Sequence, residues 1–523
     1  MDFINYNILS IVTFLPLLGA LVVFFAPESL ARKLAFAIST FTFVVSMHLW
    51  YHFDATNPGM QFVARYHWID ALGITYSLGI DGISLLLVLL TTFLTPLVIL
   101  GAFSAVEKHV NAYMGLMLAL ETGMLGAFVA LDVFLFYVFW EVMLVPMYIL
   151  VGVWGGKRRI YAAVKFFLYT MVGSLLMLVA IMWLYFAYHD TIGGGTYSAY
   201  LLDLYKLQLP ETLQMWLFLA FALAFAIKVP LFPLHTWLPD AHVEAPTGGS
   251  VILAGVLLKM GTYGFLRFAL PLFPYAAVEA APYIRVLAVI GIVYGALVAM
   301  VQDDVKKLVA YSSVSHLGFV MLGLFAFNAE GIAGSVYQML NHGFSTGALF
   351  MLIGVIYERR HTRMIADFGG LTKIAPVFAF FFMVVTFSSV GLPGLNGFVG
   401  EFLILLGSWQ ADKTTTVIAA LGVILGAVYM LWMFRRVMFG PVTNHDNEHM
   451  TDMNGRELAV MTPFLIMIVL MGVYPKPFME KMEPSINAFL TEFRAEANHP
   501  ALAAQKETAQ RAQGMNGSAG QAP

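Results

Sequence analysis

The chain has 523 residues, of which 60% are hydrophobic and 11% are charged, and its formal net charge is only −3. So apolar a composition lies outside the range of soluble domains and predicts a polytopic membrane protein built of helices. The small net charge and the lack of a basic segment argue against nucleic acid as a partner. The chain contains no cysteine, which excludes disulfides, cysteine-ligated iron–sulfur clusters and catalytic thiols.

The apolar segments predict an all-α fold of about fourteen transmembrane helices. Each segment is long enough to cross about 30 Å of hydrocarbon. No basic segment precedes the first one, so we interpret it as a retained span and not as a cleaved signal peptide. The predicted spans, numbered 1 to 14 in chain order, are 9–26, 33–52, 82–103, 113–131, 133–153, 163–187, 213–230, 247–270, 282–302, 305–326, 333–356, 376–405, 416–438 and 459–475.

The loops between these spans carry their positive charges unevenly. One set of alternate loops holds Arg32, Lys33, Lys108, Lys157, Arg158, Arg159, Lys306, Lys307, Arg359, Arg360, Arg363, Lys373, Arg435, Arg436 and Arg456. The opposite set holds Arg65, Lys206, Arg285 and Lys413. By the positive-inside rule the first set is cytoplasmic. Because the number of spans is even, both termini are then expected on the external side.

Two of the predicted spans are interrupted. Span 7 runs into IKVPLFPLHTWLP, whose prolines remove backbone donors, and span 12 contains SSVGLPGLNGFVGEF, whose glycines weaken a helix. Unpaired backbone at this depth must face protein or a water-filled cavity. The two breaks lie five spans apart, so the two segments cross the membrane in opposite directions. This arrangement predicts an inverted repeat of two five-helix units.

The repeat divides the chain into five segments. The polar end of the chain has no apolar period, and we expect it to be largely disordered. The predicted segments are an N-terminal three-helix segment at 1–112, a first five-helix repeat at 113–270, a second, inverted repeat at 282–438, a segment with span 14 at 439–478 and the polar tail at 479–523.

Several ionisable residues lie inside the predicted spans. Glu141 is in span 5, Lys228 in span 7, Lys259 in span 8 and Glu401 in span 12. One such side chain at the bilayer centre costs about 2.5 to 3.5 kcal/mol on insertion scales, so several in one chain indicate a pathway that handles charge. The chain is therefore expected to move protons or other small cations through a membrane.

Four long passages resemble the antiporter-like membrane subunits of respiratory complex I. They are FWEVMLVPMYILVGVWGG from Phe139, PLHTWLPDAHVEAPTGGSVILAGVLLKMGTYGFLR from Pro233, KKLVAYSSVSHLGFV from Lys306 and NHGFSTGALFMLIGVIYERRHTR from Asn341. The resemblance extends over nearly the whole chain. It implies a proton-pumping module in the membrane arm of an NADH:quinone oxidoreductase in a bacterial inner membrane. The loop charges then place both termini on the periplasmic side.

The resemblance also implies roles for individual residues and for partners. The positions that match the family's proton-transfer glutamates and lysines and its central histidines are Glu141, Lys228, Lys259, Glu401, His316 and His342. No cofactor or metal is implied in this chain, and FMN, iron–sulfur clusters and quinone are expected in partner subunits. The expected partners are neighbouring antiporter-like chains, other membrane-arm subunits and the lipid bilayer. Glutamate at position 401 and a short polar tail fit one branch of the family better than its sister subunits.

The residue types suit proton transfer independently of the resemblance. Burial makes a charged lysine costly, and a nearby carboxylate stabilises the charge again. The interaction of such a pair at about 4 Å is about 4 kcal/mol if the effective dielectric constant is about 20. Histidine binds and releases protons near neutral pH. The sequence predicts a relay that begins at Glu141 and Lys228 and continues through Lys259 and the histidines to Glu401.

The same residues also have purely structural interpretations. Glu141 and Lys228 can form a static interhelical ion pair, and Glu401 can cap a half-helix. Each histidine can simply satisfy its neighbours. Two weaker candidates for the relay are Lys165 in span 6, which can also extend to the membrane surface, and Glu121 in span 4, which can control proton uptake.

The remaining charged residues near the spans are not expected to take part in the relay. Asp240, His242 and Glu244 lie beside prolines, where a solvated turn or an interface contact is expected. Arg267, near the end of span 8, is expected to anchor the chain at the membrane surface.

Two other function classes remain open at the level of sequence. The first is a D-type subunit of a multisubunit sodium/proton antiporter, which shares the lysine and glutamate helices. The passages VEAPTGGSVILAGVLLKMG and YERRHTR favour complex I over this alternative. The second is a membrane scaffold whose ionisable groups serve assembly alone.

Overall fold

Helices dominate the computed structural model, which describes residues 2–442 and 444–497. The helices of the first half are α1 Asp2–Phe25, α2 Glu28–His52, α3 Gly82–Ala105, α4 Val110–Val129, α5 Val133–Val142, α6 Leu144–Trp154, α7 Arg159–Asp190, α8 Leu201–Leu204, α9 Glu211–Lys228, α10 Trp237–Glu244, α11 Thr247–Ile252, α12 Leu258–Gly264 and α13 Leu270–Leu272. Those of the second half are α14 Pro274–Met300, α15 Val305–Leu324, α16 Ala329–Arg360, α17 Leu371–Ile374, α18 Pro376–Val390, α19 Asn396–Ala411, α20 Lys413–Met438, α21 Gly455–Val473 and α22 Lys476–Ala497.

These helices follow the predicted spans. Within the described residues, 13 helical segments are long and apolar enough to cross a membrane, and they correspond to spans 1 to 11, 13 and 14. Helices α5 and α6 together form span 5. Helices α11 to α13, with π-helical turns at Leu253–Leu257 and Phe265–Ala269, form span 8. The chain is therefore a multi-pass all-α membrane protein, as its composition predicts.

Non-helical backbone follows α9 and separates α18 from α19. Helix α9 ends at Lys228, and the chain becomes helical again at Trp237. The Trp237 indole donates to the Ile227 carbonyl at 2.8 Å, so a carbonyl left free at the end of α9 has a partner. After α18, Gly391 adopts a φ of +81°, a left-handed conformation that glycine reaches without strain.

Span 8 and α16 lie at the centre of the bundle. Helix α16 packs against α15, α19 and the π-helical turn Leu253–Leu257. Nearly all residues of span 8 and most of those of α16 are buried, although they include lysine, histidine and asparagine. Helices α7 and α20 instead leave much of their apolar surface exposed, as expected for helices that face lipid or a partner. The polar residues of the spans are therefore concentrated in the protein interior.

A β-hairpin lies between α2 and α3, where no strand was predicted. Strand β1, Gln61–Ile69, pairs antiparallel with β2, Ile74–Ile80. The buried Asp132 carboxylate accepts hydrogen bonds from the Thr75 amide at 2.9 Å and from the Phe134 amide at 3.0 Å. Because Phe134 lies in the first turn of α5, this one aspartate caps the helix and fixes the hairpin against it.

The prediction of a disordered tail at 479–523 is wrong for the first part of that segment. Helix α22 extends to Ala497 and packs on α3, α14 and α16. Its apolar residues recur at helical spacing and are buried: Met482, Ile486, Leu490 and Phe493. This stripe holds the helix on the bundle while its many charged residues face outward. The rest of the predicted tail lies outside the described residues.

Candidate functional site

Lys259 and His342 are in direct contact at the centre of the bundle. Lys259 lies on α12, immediately after the π-helical turn Leu253–Leu257, and is fully buried. Its Nζ lies 2.6 Å from Nδ1 of His342 on α16 and also donates to the Ala254 carbonyl. Single π-helical turns are frequent at functional sites. Here the turn supplies a backbone acceptor for a lysine that is wholly enclosed by protein.

A second buried contact joins His316 to Glu401. The Nδ1 of His316 on α15 lies 3.0 Å from Oε1 of Glu401 on α19. The Gln338 amide on α16 donates to the same oxygen at 3.1 Å. Glu401 is the sixth residue of α19, so it lies beyond the first turn where a carboxylate caps free amides. Its partners are side chains from other helices, and the capping interpretation does not fit this geometry.

The two contacts lie next to each other and form one polar row. The ring centroids of His342 and His316 are 6.0 Å apart. The Nε2 of His342 has no hydrogen-bond partner among the described residues. A single water molecule is the right size to bridge polar groups that are too far apart for a direct hydrogen bond. The row, in order, consists of Lys259, His342, His316 and Glu401, and all four side chains are buried.

Lys228 is separate from this row. It is 1% exposed, and in the described part of the chain its ammonium has no hydrogen-bond partner. The Nζ lies 5.1 Å from the ring centre of Trp140 and 5.8 Å from that of Phe166, within the range of cation–π attraction. Glu141 interacts with it electrostatically. Residues 2–442 and 444–497 contain no ion pair between Glu141 and Lys228 within 4.0 Å, so the predicted pair is open in this structure.

Lys165 forms a tight ion pair away from the row. Its Nζ lies 2.7 Å from Oδ2 of Asp240 and donates to the Thr236 carbonyl at 3.0 Å. Both charged side chains are partly exposed, at 20% and 32%. The pair joins α7 to α10, beside the break that follows α9.

His242, for which the sequence predicts a solvated turn or an interface contact, is buried, so the solvated turn is wrong. It lies on α10, is fully buried and stacks on the Phe350 ring at 4.6 Å. Neither ring nitrogen has a hydrogen-bond partner within the residues that the structure describes. The ring also interacts electrostatically with Lys259 and Lys306. The apolar residues around His242 in α10 indicate burial. The neighbouring prolines favour a turn, and the prediction followed the prolines.

Glu121 is a carboxyl group that is fully buried in the bundle. It lies on α4, which packs against α3, α5 and α12. Both of its carboxyl oxygens lack a hydrogen-bond partner in the described ranges of the chain. Among the described residues, no hydrogen bond or ion pair joins it to Glu141 or to the central row.

The prediction that Arg267 anchors the chain at the membrane surface is wrong. Its side chain is 11% exposed, and its Nη2 lies 2.5 Å from Oδ2 of Asp81, the residue that caps α3. Its Nε donates to the Tyr263 hydroxyl at 3.2 Å. Charged residues inside a membrane protein usually pair with one another. Asp81, just before span 3, was therefore the feature of the sequence that could have predicted this pair.

Two comparisons with known proteins identify the family. The family model described as NADH:quinone oxidoreductase/Mrp antiporter, TM, matches residues 130–428. The NADH-quinone oxidoreductase subunit M of Rhodobacter capsulatus is 48% identical over 507 residues, which cover 94% of this chain and 98% of that relative. The chain belongs to the subunit M family of NADH-quinone oxidoreductase. Membership in this family confirms the expectation of a chain M-type subunit, which followed from Glu401 and the short tail.

Solved structures agree with membership in the subunit M family. A chain in the structure of respiratory complex I from Thermus thermophilus with bound NADH matches with a TM-score of 0.85 and 34% identity, over 93% of this chain and 99% of that chain. A chain of the Mrp complex from Dietzia sp. DQ12-45-1b matches with a TM-score of 0.78 and 21% identity, over 98% of this chain and 59% of that chain. The second likeness shows the fold alone.

Proposed function

We propose that this chain is a proton-translocating membrane subunit of NADH-quinone oxidoreductase and that protons cross its centre along the row from Lys259 to Glu401. The observation that carries the proposal is the row itself. Two contacts of 2.6 and 3.0 Å between proton-exchanging side chains are joined by histidine rings 6.0 Å apart. Ionisable side chains in a membrane interior are costly and are usually retained for function.

We infer that the row joins two inverted repeats, at 113–270 and 282–438. Lys259 belongs to the first repeat, whereas His342, His316 and Glu401 belong to the second. The interruptions after α9 and between α18 and α19 lie five spans apart, which supports this division. A row that crosses the boundary between two repeats responds to any movement of one repeat against the other.

The open pair of Glu141 and Lys228 is the proposed switch. Closing the pair to about 4 Å at an effective dielectric constant of about 20 stabilises the charged forms by about 4 kcal/mol. Moving one elementary charge against a membrane potential of 100 mV costs about 2.3 kcal/mol. One closing or opening event is therefore sufficient to hold a proton on Lys228 or to release it towards Lys259.

Proton uptake is proposed from the side of the arginine-rich loops. A cavity of about 130 Å³ is lined by Lys306, Glu244 and Arg363 and reaches Phe350. Its volume is enough for about four waters at roughly 30 Å³ each. His242 stacks on Phe350 and is the proposed link between this water and Lys259.

The topology and the partners complete the proposal. The positive-inside assignment places the arginine-rich loops in the cytoplasm and both termini on the periplasmic side of a bacterial inner membrane. Other membrane-arm subunits, including neighbouring antiporter-like chains, are the proposed partners. FMN, iron–sulfur clusters and quinone belong to partner subunits, so this chain takes part in an oxidoreductase and carries out no redox step itself.

The central test is NADH-driven proton uptake into sealed membrane vesicles. Lys259→Met keeps the length of the side chain but cannot bind a proton, and Glu401→Gln keeps its shape. We expect uptake to fall by roughly 100-fold in both, since a proton-transfer group typically contributes at least this factor. The matched control is Lys413→Met, an exposed lysine that faces the Trp409 ring at 5.6 Å.

Assembly of each variant is checked on a native gel and by NADH-dependent reduction of ferricyanide, which bypasses the membrane arm. Full proton uptake by an assembled Lys259→Met complex would overturn the proposed path. The alternative, a D-type subunit of a sodium/proton antiporter, predicts sodium/proton exchange without NADH in the same vesicles. We expect no such exchange.

A further inference from the structure

The connection between α20 and α21 carries three metal-binding side chains on one face of a short helical turn. His445, Glu448 and His449 each offer a ligand atom, and these atoms lie within 4.8 Å of one another. The His445 Nε2 is 3.7 Å from Oε2 of Glu448, and the two histidine rings are 5.4 Å apart. Residues at spacings of three and four share one face of a helical turn.

The opposite face of the same turn is anchored to the protein. The Nη1 of Arg360, the last residue of α16, lies 3.2 Å from Oδ2 of Asp446, and its Nε donates to Oδ1 of Asn447 at 2.7 Å. Asn447 is fully buried and donates to the Asp367 carbonyl at 3.0 Å. The backbone is thus held in place while the three ligand side chains project into solvent. A fixed backbone reduces the ordering cost of binding an ion.

We propose that His445, Glu448 and His449 form a binding site for Zn²⁺. Two imidazole nitrogens and one carboxylate oxygen are ligands that zinc accepts, and a water fills the fourth tetrahedral position. Zinc–ligand bonds of about 2.0 to 2.1 Å place tetrahedral ligands roughly 3.3 Å apart. To bind zinc, the three ligand atoms must therefore move closer together by about 1.5 Å or less. Rotation of their exposed side chains is sufficient for this movement.

The three ligand types favour zinc over the common cellular cations magnesium and calcium. Magnesium and calcium prefer sites made of oxygen ligands, whereas this site offers two nitrogens. Copper and nickel ions accept imidazole as well and are expected to compete with zinc. The chain contains no cysteine, so no thiolate of this subunit competes with the site for zinc. None of the three ligand residues belongs to the proposed proton path.

The test measures zinc bound to the purified, complete NADH-quinone oxidoreductase. The complex is dialysed against a series of free Zn²⁺ concentrations, and bound zinc is counted by mass spectrometry. The variant is the double substitution His445→Ala with His449→Ala. The matched control is His67→Ala, another exposed histidine beside a single acidic residue, Asp70, at 2.9 Å.

We expect the wild type and the His67→Ala complex to bind one more Zn²⁺ per complex than the double variant. Glu448→Gln removes one of the three ligands and should weaken the zinc affinity by more than about tenfold, the smallest loss usually caused by changing a residue that only supports a ligand. Equal zinc binding by the wild type and the double variant overturns the proposal. So does displacement of the extra zinc by a roughly thousandfold excess of Mg²⁺, which would identify a non-specific cation patch. Neither readout depends on proton pumping, so failure of this proposal is distinct from failure of the proposed function.

Discussion

Among single residues, charged groups inside the predicted spans and beside the break after α9 are of two kinds. Arg267 with Asp81 and Lys165 with Asp240 are closed ion pairs at 2.5 and 2.7 Å. Lys228, by contrast, is buried against aromatic rings without a hydrogen-bond partner among the described residues. A closed pair fixes the positions of helices, and an arginine in it does not release its proton. The proton affinity of a buried lysine without such a partner depends on its distance from a nearby carboxylate, so small movements of that carboxylate change it.

Because the Lys228 ammonium has no hydrogen-bond partner among the described residues, replacing Lys228 by arginine should affect proton uptake far more than the same replacement of Lys165. Lys228→Arg keeps the positive charge but holds its proton permanently, so NADH-driven proton uptake should fall by about tenfold or more. Lys165→Arg is the matched control, because a closed pair with Asp240 needs only the charge, and uptake should stay near that of the wild type. Both complexes should assemble on a native gel. Equal uptake by the two variants would remove Lys228 from the proton path.

At the scale of elements, the interruptions of the helices are held by side chains. The Trp237 indole closes the end of α9 through its bond to the Ile227 carbonyl. At the start of α19, the Asn341 amide of α16 donates to the Asn396 carbonyl at 2.7 Å. Buried backbone groups without such partners are costly, so broken helices persist in a membrane bundle only where neighbouring side chains replace the missing bonds. The polar interior therefore supports the breaks as well as the proposed path.

The role of Asn341 at the break can be tested by a change of similar shape. Asn341→Leu removes the donor that the Gln338 side-chain oxygen and the Asn396 carbonyl share, and the loss of such a hydrogen bond costs about 0.5 to 1.5 kcal/mol. The assembled complex should therefore dissociate at a lower temperature, measured as the midpoint of loss on native gels after heating. The control is Asn57→Leu, which disturbs an exposed loop bond to the Gly59 amide. Identical midpoints for the two variants would contradict this role.

At the scale of the whole molecule, polarity increases from the outside to the centre. Helices α7 and α20 expose apolar surface, whereas span 8, α15 and α16 bury lysine and histidine side chains. Such a distribution is the reverse of that in a soluble protein, because lipid replaces water as the surrounding solvent. Charge also differs between the two ends of the bundle, since one set of loops carries most of the arginine and lysine.

This charge asymmetry predicts the orientation of the chain. A reporter at the C-terminus should show alkaline phosphatase activity and no green fluorescence, because phosphatase is active only in the periplasm. A reporter joined at Gly440, just after α20, should show the reverse pattern. The same result at both positions would mean that the loop charges do not set the topology in this protein.

Local features of the sequence were sufficient to predict a large part of the fold. Length and apolarity of segments depend on neighbouring residues alone, so most of the spans and of the buried ionisable residues could be predicted without a structure. Family motifs are likewise continuous runs of residues. The amphipathic stripe of α22 was also present in the sequence and was missed, because its many charged residues lower the average hydropathy.

Sequence alone was enough to predict the membrane class, the all-α fold and the family. The tertiary structure alone decided which polar residues meet: Lys259 with His342, 83 positions apart, and His316 with Glu401, 85 positions apart. It also decided that Arg267 pairs with Asp81, that His242 is buried, and that Lys228 stands apart from Glu141. Contacts between distant residues depend on how the helices pack, and the pattern of a single helix does not specify which face of another helix it will contact.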